Sequence, residues 1–191
     1  MKKIIFLLLL IVLLQDLYAQ VKKSTWKFTS MNAMGILYGE NGSSFTMSSV
    51  NGVRKKNLAV GIGINYDQYL YTTLPVYAEV RKHFGNKSWK PFVYADLGAS
   101  IPLKNSSLPS KWANGTEAYD LEIGLFTELG MGFEKMITNT TAFYMQTGYT
   151  EKQFAYYSSS NFVNPLFNQT PTTNRYDYYY RRIAFKMGIR F

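Results

Sequence analysis

The chain closes on RIAFKMGIRF, residues 182–191, and these ten residues carry the decisive pattern. Ile183, Phe185, Met187, Ile189 and Phe191 fall on one side, and Arg182, Lys186 and Arg190 fall on the other. Strict period-two alternation marks a β-strand whose two faces meet different surroundings. One face here is apolar and the other cationic. Other parts of the sequence indicate which surroundings each face meets.

The same alternation recurs upstream. In residues 119–134, Tyr119, Leu121, Ile123, Leu125, Leu129, Met131 and Phe133 oppose Asp120, Glu122, Gly124, Phe126, Glu128, Gly130, Gly132 and Glu134, with Thr127 the one polar residue on the apolar side. Residues 58–67, 74–84, 92–101 and 142–150 behave alike. Two weaker runs precede them. In residues 25–38 Ser30 and Asn32 interrupt the apolar face, and residues 44–53 are poorly patterned. Together with the terminal run this makes eight candidate strands, and about nine to eleven residues is the length that crosses a bilayer at a tilt of about 45°. No helical period of useful length appears after residue 20.

Composition agrees with such strands. The 191 residues are 17% aromatic and only 17% charged, aromatic-rich and charge-poor for a soluble domain. There is no Cys, which excludes disulfides and thiolate metal sites. At the N-terminus, Lys2 and Lys3 precede an apolar run over residues 4–14 and a polar stretch ending at Ala19. That order is expected of a secretory signal peptide over residues 1–19. Its removal, with Lys2, Lys3 and Asp16, lowers the formal charge of +9 by one, to +8. An exported basic chain without a nucleic-acid motif is expected to meet anionic lipid or envelope polymer, not nucleic acid.

The connections alternate in length. Those near residues 54–57, 85–90 and 137–140 are short, whereas 102–118 and 154–179 are long, and the long ones fall on one rim. Short turns on one rim and longer loops on the other are the habit of transmembrane barrels. Glycines gather on the polar face, where they make room for large neighbours inside a narrow cylinder. That face also carries both signs of charge. The expected fold is therefore all-β, an eight-stranded antiparallel up-and-down transmembrane β-barrel, with its apolar face outward.

The leader-like N-terminus, the eight alternating segments and the closing IAFKMGIRF resemble the eight-stranded outer-membrane β-barrel proteins of Gram-negative bacteria, the OmpA/OmpX-like group. LPVYAEVRKHFG followed by KPFVYADLGASIPL resembles the porin-like outer-membrane β-barrel domain proteins of that class. The resemblance implies a barrel domain over residues 20–191, an outer-membrane location and contact with outer-membrane lipids. It also implies that the barrel-assembly machinery reads the last strand, here through Ile183, Phe185, Met187, Ile189 and Phe191.

The candidate polar constellation is a lumen ion network of Asp67, Glu79, Arg81, Asp96, Glu122, Glu128, Glu134, Arg182, Lys186 and Arg190. Opposite charges confined together should pair, since an unpaired buried charge costs several kcal/mol. The role expected of such a protein is structural or interactive, through loops 102–118 and 154–179, which could take an extracellular ligand. The alternatives are a narrow channel and a lipid-modifying enzyme. His83 is the single His and is expected near a rim without a nucleophile in reach, so no catalytic residue, metal ligand or cofactor site is assigned. The basic residues Lys22, Lys23, Arg54, Lys55, Lys56, Lys82, Lys87, Lys90 and Lys135 are expected at the short-turn rim, facing anionic headgroups. A monomer is expected.

Overall fold

In the computed structural model the described residues are 26–40, 42–69, 72–85, 88–103, 119–160 and 172–191. They form β1 (Lys27–Gly39), β2 (Gly42–Lys55), β3 (Leu58–Asp67), β4 (Thr73–His83), β5 (Trp89–Pro102), β6 (Tyr119–Leu121), β7 (Gly124–Met136), β8 (Ala142–Ser160) and β9 (Thr172–Arg190). All pairings are antiparallel, and each long strand pairs with the next. β9 pairs with both β8 and β1, Met31↔Arg190 through Gly39↔Arg182, which closes the sheet on itself. β6 is a three-residue prelude to β7, so the wall is an eight-stranded up-and-down barrel. Closure removes the unpaired sheet edges that a membrane would not tolerate.

The faces sort by side-chain parity. Leu129, Met131 and Phe133 on β7 and Ile183, Phe185, Met187 and Ile189 on β9 are exposed, whereas Arg81 is 1% and Glu134 0% exposed. An all-round apolar exterior of this extent would be an aggregation surface in water. In hydrocarbon it is ordinary. Trp26 and Trp89 stand at the rim where the described chain begins and ends, here the terminal rim. The ammonium groups of Lys55 and Lys135 lie 5.6 and 5.1 Å from their ring centroids. Tyr38 and Tyr149 flank Ile183 nearer the other, far rim. Aromatic girdles at two levels mark the borders of an apolar band.

Turn chemistry explains the tight connections. β2 and β3 are joined by Lys56 and Asn57, with Lys56 in the left-handed region at φ 51°. Gly42 (φ 100°) and Gly85 (φ 77°) take the same region at two further turns.

Two expectations need correction. Residues 154–179 are not one long loop: β8 and β9 stay paired from Phe154↔Tyr178 to Ser160↔Thr172, which leaves 161–171 outside the described residues. This outer hairpin is rich in Tyr and Thr, which form strands well, but it lies beyond the apolar band and so loses the alternation that made the rest readable. The run 119–134 is not one strand either. Leu121 pairs with Tyr156 but Phe126 with Lys152, so one extra residue sits on the β6–β7 side as a β-bulge. Gly124 lies in that bulge, where a Cβ would stand 1.7 Å from the Gln153 carbonyl oxygen. The poorly patterned run 44–53, expected as a strand, lies within the 14-residue β2. Loop 102–118 lies almost wholly outside the described residues.

Candidate functional site

Inside the wall the polar side chains form three tiers. The tier at the terminal rim is built on Glu134 of β7. Its Oε2 accepts from Arg190 Nε at 3.0 Å, and its Oε1 accepts from Arg190 Nη2 and from Arg54 Nη1, each at 3.3 Å. His83 Nε2 lies 3.0 Å from Oε2. One carboxylate thus serves two guanidiniums and an imidazole.

The middle tier is the largest. Glu128 accepts from Lys186 Nζ at 2.8 and 2.7 Å and from the Tyr94 hydroxyl at 2.6 Å. Arg81 donates from Nε and Nη2 to the two oxygens of Glu79, at 2.8 and 3.2 Å, and from Nη2 to Gln146 Oε1 at 2.8 Å. Its guanidinium carbon lies 4.4, 5.3 and 5.0 Å from the ring centroids of Phe92, Tyr94 and Tyr144. Stacking on aromatic faces suits a planar, weakly hydrated cation. Asp96 pairs in register with Glu79 on one side and with Glu128 on the other, so three acids lie in a row across β4, β5 and β7. Glu79 and Glu128 have cationic partners; Asp96 has no ion pair among the described residues, and its Oδ1 has no hydrogen-bond partner.

The tier toward the far rim centres on Asp67. Its Oδ2 accepts from Lys152 Nζ at 2.8 Å and from Arg182 Nη1. Lys152 also donates to Thr73 Oγ1 at 3.0 Å. The backbone N–H of Tyr69 donates to Asp67 Oδ1 at 2.8 Å.

These tiers are held by close packing against glycine. The Tyr94 side chain lies along the inner wall over Gly130, its register partner on β7, and its hydroxyl reaches Gly148 on β8; an added Cβ would lie 2.6 Å and 2.4 Å from its atoms. At Gly35 a Cβ would stand 2.9 Å from Lys186 Cγ. Large side chains and bare backbone interdigitate, as a narrow barrel interior requires.

Nine of the ten residues expected in the lumen, all except Glu122, are buried there. Glu122 lies at the bulge, its side chain 45% exposed and 3.9 Å from Arg175. The bulge displaces it from the parity assumed for one continuous strand. The sequence reading missed Lys152, Arg54 and His83 as network members. Lys152 continues the parity of Tyr144, Gln146, Gly148 and Thr150, and extending that strand two residues would have found it. His83 was expected at a rim; it is 1% exposed, and its Nδ1 has no partner among the described residues. Ile183, Phe185, Met187, Ile189 and Phe191 all stand exposed on the outer face of β9 and beyond its end.

No protein-family model and no curated protein sequence matches the chain. Solved structures do. OprG of Pseudomonas aeruginosa superposes with a TM-score of 0.54 at 11% identity, over 87% of this chain and 93% of that one. The N-terminal β-barrel domain of OprF from the same organism gives 0.51 at 10% identity, over 86% and 97%. Neisserial surface protein A gives 0.50 at 13% identity, over 87% and 97%. The fold is that of the eight-stranded outer-membrane β-barrels. At this width such a barrel encloses side chains, not a pore. Five acids and five Lys or Arg are buried among the described residues, so the lumen of this outer-membrane-type barrel is close to neutral as a whole. Among the described residues no group of three or more His, Cys, Asp or Glu could hold a metal.

Proposed function

We propose that the chain is an integral outer-membrane barrel whose lumen is closed by its own ion network, and whose role is structural or interactive, not transport or catalysis. The observation that carries this reading is the inversion of the wall: Lys186 and Glu128 are paired and buried while Met187 and Leu129, their neighbours in sequence, are exposed. Burying ions on that scale costs several kcal/mol each unless they pair, so they are best understood as a permanent plug. His83 is held against Glu134, and among the described residues no hydroxyl hydrogen-bonds to it, which leaves a hydrolytic mechanism without a side-chain nucleophile there.

On this reading, residues 1–19 direct export and the outer face of β9 is what the assembly machinery engages. The hairpin that β8 and β9 carry past the β1–β9 ladder is the surface offered to external partners, together with loop 102–118. The test combines cell fractionation, gel mobility before and after heating, and planar-bilayer conductance. The expected result is outer-membrane sedimentation, heat-modifiable mobility and no unitary conductance. Discrete conductance steps would favour the narrow channel instead, and recovery in the soluble periplasm would reject the membrane reading.

A further inference from the structure

At the terminal rim the lumen opens into a cavity of about 350 Å³ lined by Lys27, Arg54, Lys56, Lys90 and Arg190, with no acid on its walls. Four of these cations come from four different strands, and Lys56 from the β2–β3 turn. Lys27 pairs in register with Arg54, and Lys90 with Glu134. Beneath the lining lies the buried Glu134, already shared by Arg54, Arg190 and His83. The Arg54 and Arg190 side chains are only 13% and 9% exposed. Two nearly buried guanidiniums against one carboxylate leave positive charge uncompensated in a poorly hydrated place, and that is costly. Lys27, Lys56 and Lys90 have no ion pair among the described residues to relieve it. One Phe191 oxygen accepts from Ser30 N and Thr29 Oγ1, each at 3.2 Å, and Phe191 makes no ion pair with these cations among the described residues. Residues 20–25 carry Lys22 and Lys23 and no acid, so that stretch would repel the cavity electrostatically.

We propose that this mouth is a binding site for a phosphate or diphosphate group, with Arg54 and Arg190 as its floor and Lys27, Lys56 and Lys90 as its rim. Guanidinium and ammonium donors converging on one concave site are what a multiply charged oxyanion demands. Phe28 and Phe191 also line the cavity, and Phe28 is 71% exposed on the outer face. The phosphate could therefore belong to a lipid headgroup reaching over the rim or to a soluble molecule entering from below. Lys55, Lys82 and Lys135 lie outside this lining and serve as the contrast.

The experiment titrates the full barrel, folded in a non-ionic maltoside detergent, with inorganic pyrophosphate and separately with short-chain phosphatidylglycerol. The variants are Lys27→Gln/Lys56→Gln/Lys90→Gln and, as contrast, Lys55→Gln/Lys135→Gln. Heat-modifiable gel mobility checks folding in each. Saturable binding of pyrophosphate that weakens about tenfold in the triple variant, each exposed charge contributing a few-fold, and is unchanged in the contrast variant supports a soluble phosphate. The same pattern with phosphatidylglycerol alone supports a lipid headgroup. If the triple variant does not fold, Lys56→Gln alone, in the turn, should weaken binding about two-fold to three-fold. Absence of saturable binding of either titrant overturns the proposal. So does equal binding by the wild type and the folded lysine variants, or equal loss in the contrast variant. These outcomes do not depend on cellular location, so failure here is separable from failure of the outer-membrane reading.

Discussion

The wall formed by β9 and the wall formed by β1 and β2 touch along the closing seam, yet they solve the same problem differently. On β9 every outward residue from Ile183 to Ile189 is large and apolar, and Arg182, Lys186 and Arg190 point inward. On β1 and β2 the inward residues other than Arg54 are mostly small or apolar, among them Met31, Ala33, Thr46 and Val50. Their outward face carries Ser30, Asn32, Ser49 and Asn51. These four pair in register, Ser30↔Asn51 and Asn32↔Ser49, and form one polar island. The Asn32 and Asn51 amides each reach a Ser hydroxyl two residues back, at 3.5 and 3.4 Å. Apolar neighbours surround the island: Phe28 and Val53 toward the terminal rim, Met34 and Met47 away from it. The outward rule is therefore graded by depth. Asn32 sits opposite Ile189, next to the end of β9, whereas Met187 pairs with both Met34 and Met145 further into the band. The small inward residues of β1 and β2 are the space into which the long β9 side chains fold, as Gly35 does beneath Lys186.

The contrast can be broken in order of expected size. Lys186→Met removes the cation from Glu128 and should cost about 3–5 kcal/mol of folding stability, because it strands a buried charge. Urea unfolding in lipid vesicles, followed by Trp fluorescence, measures it. A loss under about 1 kcal/mol would show that water already solvates Glu128. Next, Met187→Arg, one residue along and on the opposite face, should cost about 2–4 kcal/mol, whereas Asn32→Arg near the rim should cost about 1 kcal/mol or less. Equal costs in the same assay would contradict the graded band. Asn32→Leu/Asn51→Leu should sharpen the comparison by making the two walls alike, with a gain of about 1 kcal/mol from removing amides from an apolar setting. Smallest of all, Arg181→Ala deletes the exposed pair with Glu151 at 3.2 Å and should shift stability by no more than about 0.5 kcal/mol.

How much of this could be read from the residues follows from the same contrast. β9 and β7 were readable because both faces are demanding, one toward hydrocarbon and one toward ions, and β3 because its apolar residues alternate with Ala59, Gly61, Gly63, Asn65 and Asp67. β2 was hard to read because Ser49 and Asn51 face outward among apolar neighbours, so its period is diluted from both sides. The outer hairpin of β8 and β9 was read as loop because it lies past the apolar band, where no medium enforces alternation. The nine buried members of the expected network were accessible from parity alone. Their partners were not: nothing in the spacing says that Glu134 is shared by Arg54, Arg190 and His83, or that Asp96 is flanked by two acids. Those contacts depend on the register and curvature of the closed sheet. Glu122 was misplaced because a one-residue bulge inverts parity and leaves little trace in composition beyond Gly124.

The central claim is the direction of the two faces of the wall, and the absence of Cys makes it directly measurable. Single Cys substitutions at each position from 183 to 190, spin-labelled and reconstituted in vesicles, report accessibility to oxygen and to a water-soluble nickel chelate. The account expects positions 183, 185, 187 and 189 to be open to oxygen and closed to the chelate, and positions 184, 186, 188 and 190 to be shielded from both. Chelate access at the odd positions would place the apolar face in water and contradict the account. Chelate access at 184 to 188 would contradict the closed lumen.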